Sequence, residues 1–226
     1  MKILVVADIH GDYHMVDKIL EEARGEGPDV VVCPGNFTDM FKNPSEFSQL
    51  DLADLILQKL ASLGKPLLCV PGNHDPYEIL DVLDDYQANL HGKHKKAAGV
   101  NFIGFGGAQT PFHTLFEPGE DEVKAALSKL PSTPPLILVV HNPPKNTAMD
   151  KLKSGEHVGS EAVRGFILGK KPLLTIAAHI HEAAGQDVLG KTTLFNHGPA
   201  FTGRYGVVEI KDNAVICKIH KINLQH

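Results

Sequence analysis

Apolar, β-branched runs that alternate with amphipathic helical patterns constrain the fold of this chain more than any other feature of its sequence. Residues 2–7, 30–33 and 67–70 are short apolar runs typical of strands that are buried on both faces. Between them, residues 13–24 and 50–63 carry apolar side chains at three-four spacing, and glycine and proline follow each segment. This βαβαβ order predicts a parallel sheet joined by right-handed crossovers.

The second half of the chain predicts further strands and ends in a hairpin. Strand-like runs lie at 100–105, 136–140, 173–177, 193–195, 206–210 and 214–218, and helical patterns lie near 121–130 and 160–168. The late strands are not separated by helices, and the turn at 211–213 is typical of a hairpin, so we expect the sheet to end antiparallel. The basic run 93–96 is interpreted as a solvated hairpin or loop.

Length and composition indicate one α/β domain over residues 1–226, without repeats or linker-like segments. The 22 Lys and Arg residues against 27 Asp and Glu give a net charge of -5, which opposes nonspecific binding to nucleic acid. No apolar run approaches the ~18 residues of a membrane span, and no cleavage site follows the first strand, so a cytoplasmic protein without a membrane partner is expected. Three widely spaced cysteines exclude a disulfide framework: Cys33, Cys69 and Cys217.

Polar clusters follow five of the strand runs. They are Asp8-Ile9-His10, Gly35-Asn36, Gly72-Asn73-His74-Asp75, His141-Asn142 and His179-Ile180-His181. Ligands gather at the carboxyl edge of open α/β sheets, so we expect these clusters to converge. Carboxylate, imidazole and amide ligands together suit manganese, iron(II) or zinc. A single Asp-x-His or His-x-His motif is usually a turn or a surface feature, so the interpretation as a metal site rests on this convergence.

In their order along the chain, these clusters resemble the calcineurin-like metallophosphoesterase superfamily, whose pattern runs Asp-x-His, Gly-Asp, Gly-Asn-His-Asp/Glu, His and Gly-His-x-His. Residues 106–112, Glu117 and residues 157–160 are similar to prokaryotic predicted phosphoesterases related to cyclic-nucleotide phosphodiesterases. The resemblance implies an α/β fold, specifically a four-layer α-β-β-α sandwich of two mixed sheets flanked by helices. It also implies a site for two divalent metal ions.

The same resemblance implies a role for each matching residue. The expected metal ligands are Asp8, His10 and His181 for one ion, and Asn73, His141 and His179 for the other. Asn36 occupies the bridging position between the two ions. His74 is expected to act as general acid beside the substrate, with Asp75 orienting it.

Two residues depart from the family pattern. Asn36 stands where the family usually has a bridging aspartate, and one neutral oxygen in place of a carboxylate predicts weaker binding of the second ion. Ala178 replaces the usual glycine before His179, a milder change because that glycine is not a ligand. Asp39, three residues after Asn36, is interpreted as a group that supports the ligands rather than as a replacement ligand.

Other polar residues carry less specific interpretations. His113 and His157 lie in loops that either line the substrate pocket or are simply solvated. Asp12 is expected to cap the first helix, and His197 to be part of the loop structure. The remaining histidines are assigned to the surface: His14, His91, His94, His220 and His226.

The resemblance predicts hydrolysis of a phosphodiester or phosphomonoester by metal-bound hydroxide at a dinuclear site, with manganese, iron or zinc as the ions. A small cyclic or linear phosphodiester, such as a cyclic nucleotide, fits the narrower similarity and the acidic composition. The alternative is a binding or scaffold protein that keeps the fold without turnover, because Asn36 weakens the metal site. Hydrolysis of simple phosphoesters with added manganese separates the two.

Overall fold

The computed structural model describes residues 1–42 and 47–222, which form two β-sheets with helices on their outer faces. The strands are β1 (Lys2–Val5), β2 (Val30–Cys33), β3 (Leu67–Cys69), β4 (His94–Ala97), β5 (Val100–Phe105), β6 (Leu136–Val140), β7 (Leu174–Ile176), β8 (Gly185–Leu189), β9 (Thr192–Asn196), β10 (Arg204–Lys211) and β11 (Ala214–Lys221). The helices are α1 (Tyr13–Ala23), α2 (Gln49–Ala61), α3 (Ile79–Asp85), α4 (Glu120–Lys129) and α5 (Glu161–Lys170). Within the described residues, no helix has the length and apolar character that a membrane crossing requires.

The first sheet has the strand order β11-β10-β1-β2-β3. Its strands β1, β2 and β3 pair in parallel, as the βαβαβ pattern predicts. β10 and β11 form an antiparallel hairpin, and β10 also runs antiparallel to β1. The predicted parallel core and the predicted terminal hairpin are therefore both confirmed, and they share one sheet.

The second sheet has the strand order β4-β5-β6-β7-β9-β8. Its central strands are parallel, whereas β4 and β8 are antiparallel edge strands. The basic run 93–96 mostly belongs to β4, which forms a hairpin with β5. Neither β4 nor β8 was predicted as a strand, because edge strands carry exposed polar side chains instead of a continuous apolar run. α3 was also missed, because its seven residues are too few to show a helical period.

Three apolar clusters separate four layers of secondary structure. Between the sheets, Ile3 and Val32 of the first sheet pack with Phe102, Ile137 and Phe195 of the second. The helices α1, α2 and α3 cover the outer face of the first sheet. The helices α4 and α5 cover the outer face of the second. This arrangement confirms the four-layer α-β-β-α sandwich.

The loops that follow β2 and β3 approach each other so closely that each needs a glycine. Gly35 has a left-handed φ of 103°, and a Cβ atom there would overlap the backbone of Gly72. A Cβ atom on Gly72 would overlap the backbone and side chain of Asn36. The contact therefore brings residues 36–39 next to residues 72–75.

We expect Gly72→Ala to lower the free energy of unfolding by at least about 2 kcal/mol, because neither loop can move without displacing the other. Urea unfolding of chelator-treated protein measures this change. The control is Gly165→Ala, because Gly165 lies in α5 with open space at its Cβ position, and alanine there raises stability by about 0.5–1 kcal/mol. A Gly72→Ala protein as stable as wild type would contradict the close packing of the two loops.

Candidate metal centre

Loops at the carboxyl ends of five strands bring the polar clusters of the sequence to one place. They follow β1, β2 and β3 of the first sheet and β6 and β7 of the second. Four of the converging residues have left-handed backbone angles: φ is 51° at Asp8, 50° at His10, 56° at Asn36 and 70° at His179. Each such angle costs about 1 kcal/mol or more for a residue other than glycine. Such strain is typical of functional sites, and the surrounding fold must hold it.

The first group of candidate ligand atoms consists of Asp8 Oδ1, His10 Nε2 and His181 Nε2, and we call it the Asp8 group. The two imidazole nitrogens are 3.3 Å apart, and His181 Nε2 is 3.6 Å from Asp8 Oδ1. A divalent ion such as zinc lies about 2.1 Å from its ligands, so atoms that share an ion lie about 3–4 Å apart. The Asp8 group therefore fits the coordination of one divalent ion.

The second group consists of Asn73 Oδ1, His141 Nε2 and His179 Nδ1, and we call it the Asn73 group. Asn73 Oδ1 is 2.9 Å from His141 Nε2 and 3.1 Å from His179 Nδ1. His141 Nδ1 donates to the carbonyl oxygen of Pro34 at 2.7 Å, which leaves the Nε2 lone pair free for a metal ion. This group also has the spacing of ligands around one ion, but all three of its members are neutral.

Asn36 lies between the two groups and is almost completely buried. Its Nδ2 atom is 3.1 Å from Asp8 Oδ1 and 3.3 Å from Asn73 Oδ1. Its Oδ1 atom accepts a hydrogen bond of 3.0 Å from the backbone N–H of His74. Asn36 thus stands in the position that the family pattern assigns to a bridging ligand, but it presents a nitrogen to both groups.

His74 lies beside the Asp8 group, with its ring 4.9 Å from the ring of His10. His74 Nδ1 is 3.2 Å from Asp39 Oδ1, and the other oxygen of Asp39 is 3.6 Å from His10 Nδ1. The Asp39 side chain is only 8% exposed, so two imidazoles share one carboxylate in a weakly screening environment. Burial lowers the pKa of His74, and the nearby Asp39 carboxylate acts in the opposite direction.

Asp75, which the resemblance implies as the partner of His74, instead joins the two loops. Its fully buried carboxylate accepts hydrogen bonds from four donors of these loops: Gly72 N, Phe37 N, Thr38 N and Thr38 Oγ1. Burial raises the pKa of Asp75 to about 6, although these hydrogen bonds act to lower it. The expectation is therefore corrected, because the carboxylate next to the His74 ring belongs to Asp39 in the other loop.

Three further predicted residues lie outside the two groups. The exposed His113 has a left-handed φ of 53°. His157 Nδ1 is 2.8 Å from the buried carboxylate of Asp150, which supports a role in holding its own loop. Asp12 accepts a hydrogen bond from the backbone N–H of Met15 at 2.9 Å, so it caps α1 as predicted.

Two histidines assigned to the surface are partly buried, contrary to the prediction. His91 Nδ1 accepts a hydrogen bond from the backbone N–H of Gly106 at 2.9 Å, and its ring packs against Phe105. The ring of His220 stacks on Tyr205 at 4.9 Å. Only the folded chain shows the aromatic ring that covers each of them. His14 and His94 are exposed, as predicted, and His197 is buried in its loop. His226 lies outside the described residues.

An open cleft of about 510 Å³ leads to the Asp8 group. Its lining includes His10, His74, His181, Asp39, Lys42 and Phe201. The ring of Phe201 is 5.6 Å from that of His10 and 5.4 Å from that of His181, and the exposed Phe41 is 5.5 Å from His74. Neither phenylalanine was predicted at the site, because an isolated aromatic residue in a loop has no pattern that distinguishes it from a core residue.

Burial keeps most of the candidate ligand imidazoles in the neutral form that a metal ion needs. It lowers the pKa of His10 and of His141 to about 4, and that of His179 to about 3. Burial also acts to lower the pKa of His181, but its contact with Asp8 raises that pKa overall. For Asp8, burial acts to raise the pKa, but His181 and the neighbouring imidazoles lower it well below its usual range. Without a metal ion, Asp8 and His181 therefore pair with each other.

We expect chelator-treated protein to lose at least about 2 kcal/mol of unfolding free energy between pH 6.5 and pH 4. The native state resists protonation of His10, His141 and His179, whereas the unfolded chain takes up these protons below about pH 6.5. The raised pKa values of His181 and Asp75 stabilise the native state as the pH falls, which opposes this loss. These two groups are outnumbered by the three histidines whose pKa values are lowered.

Urea unfolding at a series of pH values measures this dependence. His141→Gln, which removes one titrating group, should make it shallower. His94→Gln, at an exposed position, should leave it unchanged. Stability that stays constant or increases down to pH 4 would contradict the burial of these imidazoles.

Comparison with known proteins places these observations in a family. Residues 1–183 match the family described as calcineurin-like phosphoesterase. An uncharacterised protein of Methanocaldococcus jannaschii, MJ1162, is 33% identical over 224 residues, covering 96% of this chain and 95% of that protein. The fold is similar to that of TT1561 from Thermus thermophilus, with a TM-score of 0.70, 21% identity and coverage of 96% and 97% of the two chains. It is also similar to that of a dimetal phosphatase from Danio rerio, with a TM-score of 0.69, 13% identity and coverage of 98% and 96%. The sequence match over most of its length shows that the chain belongs to the calcineurin-like phosphoesterase family.

Proposed function

We propose that this chain hydrolyses a small phosphodiester or phosphomonoester at the centre formed by the Asp8 and Asn73 groups. Family membership supports metal-dependent hydrolysis of a phosphoester in general. The observation that carries the specific proposal is that two groups of ligand atoms, each with the spacing required around one ion, lie side by side next to an open cleft. The donor set of one carboxylate, one amide oxygen and imidazoles suits manganese, iron(II) or zinc.

The two groups of the centre are each assigned one metal ion. The Asp8 group would hold one ion, and the Asn73 group would hold the second. Divalent ions bound there supply Lewis acidity at the phosphate oxygens and lower the pKa of a water molecule. The left-handed backbones at Asp8, His10 and His179 aim these side chains at the centre, so the ligands are oriented before an ion or a substrate arrives.

His74 is the residue that we assign to proton transfer. Its Nδ1 atom is buried beside Asp39, which leaves Nε2 as the ring nitrogen that can face the cleft. From there it donates a proton to the leaving oxygen of the ester, while Asp39 holds the ring and stabilises its charged form. Asp39 contacts no reacting atom in this scheme and is a positioning residue.

The cleft supports a small substrate. Its volume of about 510 Å³ lies within the usual range for sites that bind small molecules. The net charge of -5 opposes a long polyanion, and Lys42 is the cation that lines the cleft within the described residues. Phe201 offers an apolar surface beside the histidines. These features favour a small cyclic or linear phosphodiester, such as a cyclic nucleotide, over nucleic acid.

A second candidate function is binding without turnover, in which the centre serves as a weakly metal-dependent platform for a partner. The observation that favours it is the amide nitrogen that Asn36 presents between the two groups. Hydrolysis of bis-p-nitrophenyl phosphate and p-nitrophenyl phosphate with added manganese decides between the two functions. Turnover that requires the metal supports the enzyme, and its absence in metal-loaded protein supports the platform.

We expect manganese or zinc to raise the melting temperature of chelator-stripped protein. An ion at 100 times its Kd adds about 2.7 kcal/mol to stability, which corresponds to about 5–10 °C for a chain of this size. His141→Ala and His179→Ala should lose much of this gain, and His94→Ala, at an exposed edge strand, should keep it. If manganese, zinc and iron(II) all leave the melting temperature unchanged, the metal site is wrong.

We expect His74→Asn to lower kcat by roughly 100-fold to 10,000-fold, the usual contribution of a general acid. Esters with a very acidic leaving group should lose much less, because they need no proton. Metal content, measured by atomic emission, should stay unchanged, and His94→Asn serves as the matched control. An equal loss for activated and unactivated esters would exclude the acid role, and loss of metal would make His74 a ligand.

A further inference from the structure

Two asparagine side chains face the centre with opposite ends of their amide groups: Asn73 with its oxygen and Asn36 with its nitrogen. The Nδ2 group of Asn73 donates a hydrogen bond to Thr114 Oγ1 at 3.1 Å. The Thr114 hydroxyl in turn donates to Glu117 Oε1 at 2.5 Å, so its lone pairs are available to Asn73. Because the nitrogen of Asn73 is engaged on that side, its oxygen faces His141 and His179. Asn73 is therefore held as a metal ligand.

Asn36 is held the other way round. Its oxygen accepts from the backbone N–H of His74, and a backbone N–H can only donate. Rotating the amide by half a turn would place two donors against each other at His74. The same rotation would place the amide oxygen against Asp8 Oδ1 and Asn73 Oδ1, which are both acceptors. Both ends of the amide thus select the same orientation in a buried site, where an unpaired polar group is costly.

An amide nitrogen has no lone pair available for a metal ion, because that pair is delocalised into the carbonyl group. We propose that Asn36 is not a metal ligand but a hydrogen-bond donor that separates the two groups. The centre then binds ions at two unequal sites without a bridging side chain. The Asp8 group, which contains the carboxylate, is the tighter site, and the neutral Asn73 group is the weaker one. This inference rests on the proposed function only in requiring that the centre binds divalent ions.

The role of Thr114 follows from the same geometry. It fixes the rotation of the Asn73 amide from a position 41 residues along the chain, and Glu117 fixes Thr114 through its hydroxyl and its backbone N–H. Thr114 is therefore a positioning residue for the weaker site alone. Partners that orient ligands in this way are typically worth 10-fold to 100-fold in metal affinity.

Calorimetric titration of chelator-stripped protein with manganese tests the proposal directly. Wild type should bind one ion tightly and a second at least tenfold more weakly. Asn36→Ala should weaken neither site by more than about threefold, because it removes no ligand. Asn36→Asp should tighten the weaker site by at least tenfold, because a carboxylate can satisfy the His74 N–H with one oxygen and meet both ions with the other.

Thr114→Val tests the positioning role, and it keeps the proposal falsifiable if Asn36→Ala does not fold. It should weaken the second site by at least tenfold and leave the first unchanged, whereas a general structural defect would affect both sites. Thr133→Val, in an exposed loop, is the matched control.

Two ions of equal affinity in wild type, together with a tenfold or greater loss in Asn36→Ala, would show that the Asn36 oxygen is a ligand. That result would overturn the inference and leave the proposed function intact. Wild-type protein that takes up no ion and hydrolyses no ester would overturn both.

Discussion

The hydrogen bonds accepted by the Asp75 carboxylate are the interaction on which the rest of the centre depends. It is fully buried, and its hydrogen bonds to Gly72, Phe37 and Thr38 tie together the loops after β2 and β3. These loops carry Asn36, Asp39, Asn73 and His74, so one acidic side chain holds together the two loops that carry four polar residues of the site. The close contact of Gly35 with Gly72 allows this approach, because a larger residue at either position would force the loops apart. A charged group buried in this way is tolerated because four donors surround it.

The centre is assembled at some cost to stability. Left-handed backbones at Asp8, His10, Asn36 and His179 store conformational strain, and several imidazoles are held neutral by burial. Both features are unfavourable for folding alone, but both prepare the site for a cation, which needs unprotonated nitrogen at fixed positions. The packed sheets on either side provide the large apolar interior that offsets these costs.

The electrostatics of the centre are asymmetric. The carboxylates of Asp8 and Asp39 lie on the side of the cleft, where they contact His10, His74 and His181. On the other side, the Asn73 group consists of neutral side chains that form hydrogen bonds with Pro34 and Thr114. Phe41 and Phe201 flank the accessible histidines, so the side that carries the acidic groups is also the side that opens to the cleft. This arrangement places the histidines of the Asp8 group and His74 together at the open end of the site.

Much of the fold follows from the sequence alone. The strand runs and helical patterns predicted the parallel β1-β2-β3 core and the terminal hairpin, and the resemblance implied the four layers that the structure has. Edge strands β4 and β8 escaped prediction because their exposed side chains lack the apolar signal of a central strand.

For the site too, the sequence predicted some features and only the structure revealed others. The sequence predicted the convergence of the polar clusters because each follows a strand run, and such ends meet at one edge of a sheet; the side chains that the structure brings together are those of Asp8, His10, Asn73, His141, His179 and His181. Only the tertiary structure decided which carboxylate lies next to His74 and which atom of each asparagine faces the centre. Those choices depend on hydrogen-bond partners in other loops, such as Asp39 for His74 and Thr114 for Asn73. Sequence periodicity reports which face of an element is buried, but it carries no information about contacts made between distant segments of the folded chain.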